Sequence, residues 1–228
     1  RHSVSKLAHV HFVANEDAQN RLLKMGESPN SIFIIGSPDI DVMLQIDLPS
    51  LSNVLKHYSI PFKKYGIVIY HAVTTELDLL KVHINELITA LNGTGDNYVI
   101  IYPNNDIGSD IILSSIKKLE NDPMFHVIPS LRFEYFLTLL KNAKYILGNS
   151  SVGIREAPVY GIPTINLGSR QNNRFNYKSI INIPEKAELI INTIKKIPSQ
   201  FEPSLYFGKG NSADCFIEIL ESNDDIWS

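Results

Sequence analysis

Two adjacent serines follow an apolar run in LGNSSVGIREAPVYGIP (Leu147–Pro163), with three glycines and an Arg-Glu pair around them. Small residues and hydroxyls at a strand-to-helix turn suit an anion. The first N–H groups of a helix are unpaired and sit at its positive end. Ser150 and Ser151 add hydroxyl donors, and Glu156, placed in the first turn of a helix expected to start near Gly153, has a carboxylate able to accept from a diol. The same residues also make an ordinary helix start, since Ser and Asn cap helices and Glu favours the first turn. Spacing alone leaves the two readings even.

Further polar residues follow other apolar runs. His71 directly follows YGIVIY, where an imidazole can polarise a phosphate or pass a proton near neutral pH. It is equally placed to be a plain loop histidine. Asn104, Asn105 and Asp106 follow NYVIIYP and suit a base or a sugar as well as an ordinary turn. Phe136 shares a stripe with Phe133, Leu137 and Leu140; it reads as core, with stacking against a pyrimidine as the functional alternative. Arg170 and Arg174, in GSRQNNR, are candidate phosphate clamps or members of a solvated basic loop.

These residues need a scaffold that brings strand ends together, and the chain supplies its pattern. From Tyr65 onward, apolar runs of strand length alternate with amphipathic stretches. TTELDLLKVHINELITALNG places Leu77, Leu80, Ile84, Leu87 and Leu91 on one helical stripe, with Gly93 expected beyond its end. Such alternation predicts an α/β fold: a Rossmann-like parallel sheet with helices on both faces. Ligands of these sheets sit beyond the carboxyl ends of the strands, where the polar residues above fall. Upstream, His9–Asn15 and Ser31–Pro38 read as strands flanking a helix capped by Asn15 and stopped by Gly26.

Composition narrows the class. The 228 residues are 44% hydrophobic and 20% charged, with a net charge of −3, which argues against a sequence-independent nucleic-acid partner. No apolar run approaches the roughly 18–20 residues of a membrane span. A secretory signal layout is missing, so a cytoplasmic protein is expected. The single cysteine, Cys215, excludes a disulfide framework and a multi-cysteine metal site; neither a metal nor a cofactor is expected. The chain opens at Arg1 in mid-amphipathic sequence, which reads as a piece of something longer.

Taken in order, RHSVSKLAHVHF, IFIIGSPD, HAVTTE, YPNND, PSLRFEYF and GNSSVGIREAP with YGIPTINLGSRQNNR resemble the UDP-N-acetylglucosamine 2-epimerase family, in its hydrolysing, N-acetylmannosamine-forming branch. The likeness extends to about Ile181. One departure is Ala72, where the branch usually has proline, which leaves His71 in place. The resemblance implies a glycosyltransferase-B-like fold of two Rossmann-like halves closing on UDP-N-acetylglucosamine, with this chain mainly the C-terminal half. It implies Ser150, Ser151 and Glu156 on the diphosphate and ribose, Phe136 near the uracil, His71 near the diphosphate, and Arg170 or Arg174 close by. It also implies elimination of UDP, hydration of the resulting glucal for sialic acid synthesis, carboxylate bases upstream of Arg1, and a homodimer or homotetramer at full length. The expected organisation is residues 1–40 as the tail of the first half, 41–61 a connector, 62–205 the UDP-binding half, and 206–228 packing back on the first. A relative using a 2,4-diacetamido sugar, a glycosyltransferase of the same architecture, and a nucleotide-binding module without activity remain open.

Overall fold

The computed structural model describes residues 2–45 and 47–222. They fall into two compact units: 1–47 with 205–228, and 48–204. The region expected as a connector, 41–61, is divided between them and is partly helical.

In the first unit α1 (His2–Leu7) leads to β1 (His11–Val13), α2 (Glu16–Lys24), β2 (Ile32–Ile34) and α3 (Pro38–Met43). β1 and β2 pair in parallel, with His11 opposite Ile32. Asn15 caps α2 as its sequence position predicts, its Oδ1 accepting from the Ala18 N–H at 3.0 Å. The returning segment, which carries α10 (Ser212–Ser222), belongs to this unit. Phe216 meets Phe12 edge-on at 4.8 Å, the Ser37 N–H donates to the Phe207 carbonyl at 2.8 Å, and the Ser212 hydroxyl donates to Asp41 at 2.7 Å.

In the second unit α4 (Leu51–His57) precedes a regular alternation: β3 (Gly66–Ile69), α5 (Leu80–Thr94), β4 (Tyr98–Ile101), α6 (Ser109–Ile116), β5 (Phe125–Ile128), α7 (Phe133–Lys141), β6 (Ile146–Gly148), α8 (Val152–Arg155), β7 (Thr164–Leu167), β8 (Ile180–Ile183) and α9 (Ala187–Lys196). All six strands run parallel, in the spatial order β5-β4-β3-β6-β7-β8. Counted from β3, that is 3-2-1-4-5-6, the doubly wound order whose direction of winding reverses between its first and fourth strands. The reversal falls between β3 and β6.

The core follows the period of two along each strand. Val68, Tyr70, Tyr98, Ile100, Leu147, Ile165 and Leu167 join Leu80, Ile84, Leu87 and Leu91 of α5, Ile112 and Ile116 of α6, and Ile190 of α9 in one cluster. Strand residues of the other parity, such as Ile67, Ile69, Val99 and Ile146, are equally buried, which a sheet covered on both faces requires. Two helix boundaries differ from expectation. α5 runs through Gly93 to Thr94, and Gly95, left-handed at φ +70°, is its cap. The helix expected from near Gly153 is a single turn, because Pro158 has no N–H to offer the Ile154 carbonyl; a 3-10 turn over Ala157–Tyr160 follows instead.

Candidate functional site

β3 and β6 lie side by side, and their carboxyl ends carry His71 and the Asn149-Ser150-Ser151 turn. The close approach begins at Gly148. Its φ is +137°, and a Cβ there would stand 2.0 Å from the Ile69 carbonyl oxygen. Gly153 is equally confined, with a Cβ meeting Thr164 Cγ2 at 2.5 Å, while the Thr164 hydroxyl donates to the Gly153 carbonyl at 2.7 Å. Both glycines therefore serve packing between strands and turn.

Asn149 links the two strand ends. It is fully buried, and its side chain brackets the His71 peptide: Oδ1 accepts from the His71 N–H at 2.7 Å and Nδ2 donates to the His71 carbonyl at 2.9 Å. Its own carbonyl accepts from Arg170 Nη1 at 3.1 Å and from Gln171 Nε2 at 2.8 Å. One residue thus holds β3, β6 and the loop after β7.

His71 is itself 6% exposed, and its Nδ1 accepts from the Asn104 backbone N–H at 3.1 Å. A backbone N–H can only donate, so Nδ1 carries no proton and Nε2 is the donating nitrogen of the neutral ring. Burial first, then the nearby Arg170 charge, lower the His71 pKa to about 4 against an opposing effect of Asp106. The imidazole is therefore a neutral N–H donor at pH 7, rather than the proton-carrying acid that an unperturbed histidine could become.

The remaining sequence candidates divide. Arg170 reaches the site. Burial lowers its pKa, Asp106 raises it and Arg174 lowers it, and it keeps its charge near neutral pH. Arg174 is exposed on the same loop. Asn104 and Asn105 have exposed side chains, so Asn104 acts on His71 through its backbone. Ser150 and Ser151 are half-buried at the turn, and neither backbone N–H has a hydrogen-bond partner among the described residues. With α8 only one turn long, no long helix dipole stands behind these N–H groups. Glu156 caps the end of α8 instead of lying in its first turn. Phe136 is buried in α7, while Phe133, one turn earlier, is exposed. The Ser169 hydroxyl donates to Glu76, which joins the β7 loop to the HAVTTE segment.

Behind the site, Glu185 is buried and accepts from the Tyr70 hydroxyl at 3.1 Å, with His83 Nδ1 3.7 Å away. Asn149 and Gln171 were the residues that sequence reasoning missed. Asn149 had one signal, a polar amide directly after an apolar strand; Gln171 had none that set it apart from its neighbours. Among the described residues no group of His, Cys, Asp and Glu is placed to hold a metal ion, and no helix is long and apolar enough to cross a membrane.

Comparison with known proteins gives the arrangement a context. Residues 1–221 match the family model described as UDP-N-acetylglucosamine 2-epimerase. A Neisseria meningitidis protein called UDP-N-acetylglucosamine 2-epimerase is 46% identical over 100% of this chain and 61% of its own length. A Legionella pneumophila protein called UDP-N,N'-diacetylbacillosamine 2-epimerase (hydrolyzing) is 31% identical over 97% of this chain and 60% of its own. The solved Methanocaldococcus jannaschii UDP-GlcNAc 2-epimerase in complex with UDP-GlcNAc and UDP superposes with a TM-score of 0.73 at 20% identity, covering 94% of this chain and 61% of that one. That likeness shows the same glycosyltransferase-B-like fold. The chain spans about three-fifths of the length of these relatives.

Proposed function

Since this chain belongs to the UDP-N-acetylglucosamine 2-epimerase family, we propose that its second unit is the UDP-holding part of a hydrolysing UDP-N-acetylglucosamine 2-epimerase. The observation that carries the reading is the lock at the β3–β6 switch point. There a neutral imidazole donor, a guanidinium and two open backbone N–H groups belong to one hydrogen-bonded neighbourhood. A diphosphate is the ligand such donors suit, because it is anionic along its length and accepts from every side.

In this reading His71, Ser150, Ser151 and Arg170 hold the diphosphate, and Arg174 adds charge at the rim. Glu156 takes the ribose diol, and Phe136 with Asn104 and Asn105 borders the uracil. Their part in the reaction is to stabilise the departing UDP as the C1–O bond breaks. Removal of the C2 proton gives the 2-acetamidoglucal, and hydration then releases N-acetylmannosamine for sialic acid synthesis. The carboxylate bases for those proton steps belong to the stretch of the relatives that this chain does not span.

Titration calorimetry of the 228-residue chain with UDP and UMP tests the site. Expected is a preference for UDP of about tenfold or more, one charge-assisted contact being worth roughly 1.5–3 kcal/mol. Equal affinities would overturn it. The same chain should release no UDP from UDP-N-acetylglucosamine; release at the rate of a full-length relative would place the bases within it. The Legionella relative's name favours a second substrate, a UDP-2,4-diacetamido-trideoxyhexose, and the full-length enzyme offered both sugars would choose between them.

A further inference from the structure

The reading of the site as a diphosphate seat leaves unexplained why two amides that face no solvent sit at its centre. Asn149 is fully buried and Gln171 is 3% exposed. Gln171 donates through Nε2 to the Asn149 carbonyl, while its Oε1 is buried without a hydrogen-bond partner among the described residues. An unpaired buried carbonyl oxygen costs stability, so an apolar residue of similar shape would serve folding at least as well.

We infer that Asn149 and Gln171 are positioning residues, which tie the loop bearing Arg170 to the strand end bearing His71 and so fix the donors in one geometry before UDP arrives. The path is continuous. Gln171 fixes the Asn149 carbonyl, that carbonyl fixes the guanidinium of Arg170, and the Asn149 side chain fixes both sides of the His71 peptide. Neither amide needs to touch the ligand. Gln171 lies next to Arg170 in sequence, so its bond to Asn149 ties that segment to the strand end, while Arg174 on the same loop is exposed. Rigid placement of donors raises affinity by removing the ordering cost at binding.

This inference rests on UDP binding at the site, and the test separates the two. Gln171→Met keeps the length of the side chain and removes both the bond to Asn149 and the unpaired oxygen. The expected result is a urea midpoint at or above that of the unaltered chain, with UDP affinity lower by about three- to tenfold, the size of one hydrogen bond. A purely structural role would move stability and leave affinity alone. Asn149→Ala should weaken UDP by about tenfold or more. Added to that background, Arg170→Ala should cost less than it does alone, since the guanidinium has already lost its anchor. If Asn149→Ala does not fold, Gln171→Met and imidazole nitrogen NMR decide the matter. In the free chain at pH 7 the His71 signals should be those of the Nε2–H tautomer, and Gln171→Met should leave them unchanged because Asn104 and the Asn149 side chain remain. Failure of the unaltered chain to prefer UDP over UMP removes the site itself. Normal UDP binding together with affinity within twofold in Gln171→Met overturns the positioning role.

Discussion

His71 shows how a backbone N–H can decide the chemistry of a side chain. Because Asn104 donates to Nδ1, the imidazole is neutral with its proton on Nε2, and protonating it means charging a buried ring beside Arg170. The folded pKa of about 4 lies below the ordinary 6.5. Between those values the unfolded chain binds a proton that the folded chain refuses. The stability contributed by this group is therefore complete above pH 6.5 and is lost as pH falls toward 4, about 3 kcal/mol in all. Urea unfolding at pH 7 and pH 4.5 should show a smaller loss in His71→Gln than in the unaltered chain, and equal losses would refute the assignment. The position of His71 after an apolar strand was readable in the sequence. Its tautomer was not, since the partner lies 33 residues away in the chain and acts through main chain. Arg170 and Arg174 were likewise equivalent in sequence, and only the fold brings one of them to Asn149.

At the scale of elements, the β-α rhythm from Tyr65 was legible because buried parallel strands are apolar throughout and their crossover helices carry a stripe. The turn after β6 was harder. Its composition resembles a phosphate-binding helix start, yet α8 is one turn long, and Gly148 at the end of β6 and Gly153 in α8 answer to neighbouring strands. Gly148→Ala should prevent folding of the second unit, because the added methyl meets the Ile69 carbonyl and φ +137° disfavours any side chain. Circular dichroism and the disappearance of cooperative unfolding would register it; a folded variant with an ordinary urea midpoint would show that β3 and β6 can separate without penalty. No periodicity in the sequence could reveal this constraint, since it comes from a strand 79 residues earlier in the chain.

On the scale of the whole molecule, the chain starts one unit, builds a second without interruption from 48 to 204, and then returns to the first. The strands of the second unit lie within one uninterrupted segment, whereas the first needs Phe207, Ser212 and Phe216 beside Ser37, Asp41 and Phe12. Deleting 205–228 should raise amide hydrogen exchange throughout 2–45 and leave β3 to β8 protected; equal loss of protection in both units would show that they unfold as one. During synthesis the same connectivity imposes an order. The second unit can close once residues up to 204 have left the ribosome, while the contacts that Phe12, Ser37 and Asp41 make with Phe216, Phe207 and Ser212 must wait for the chain beyond 204. For that interval the face of Phe12 that Phe216 later meets is a surface for a chaperone to hold.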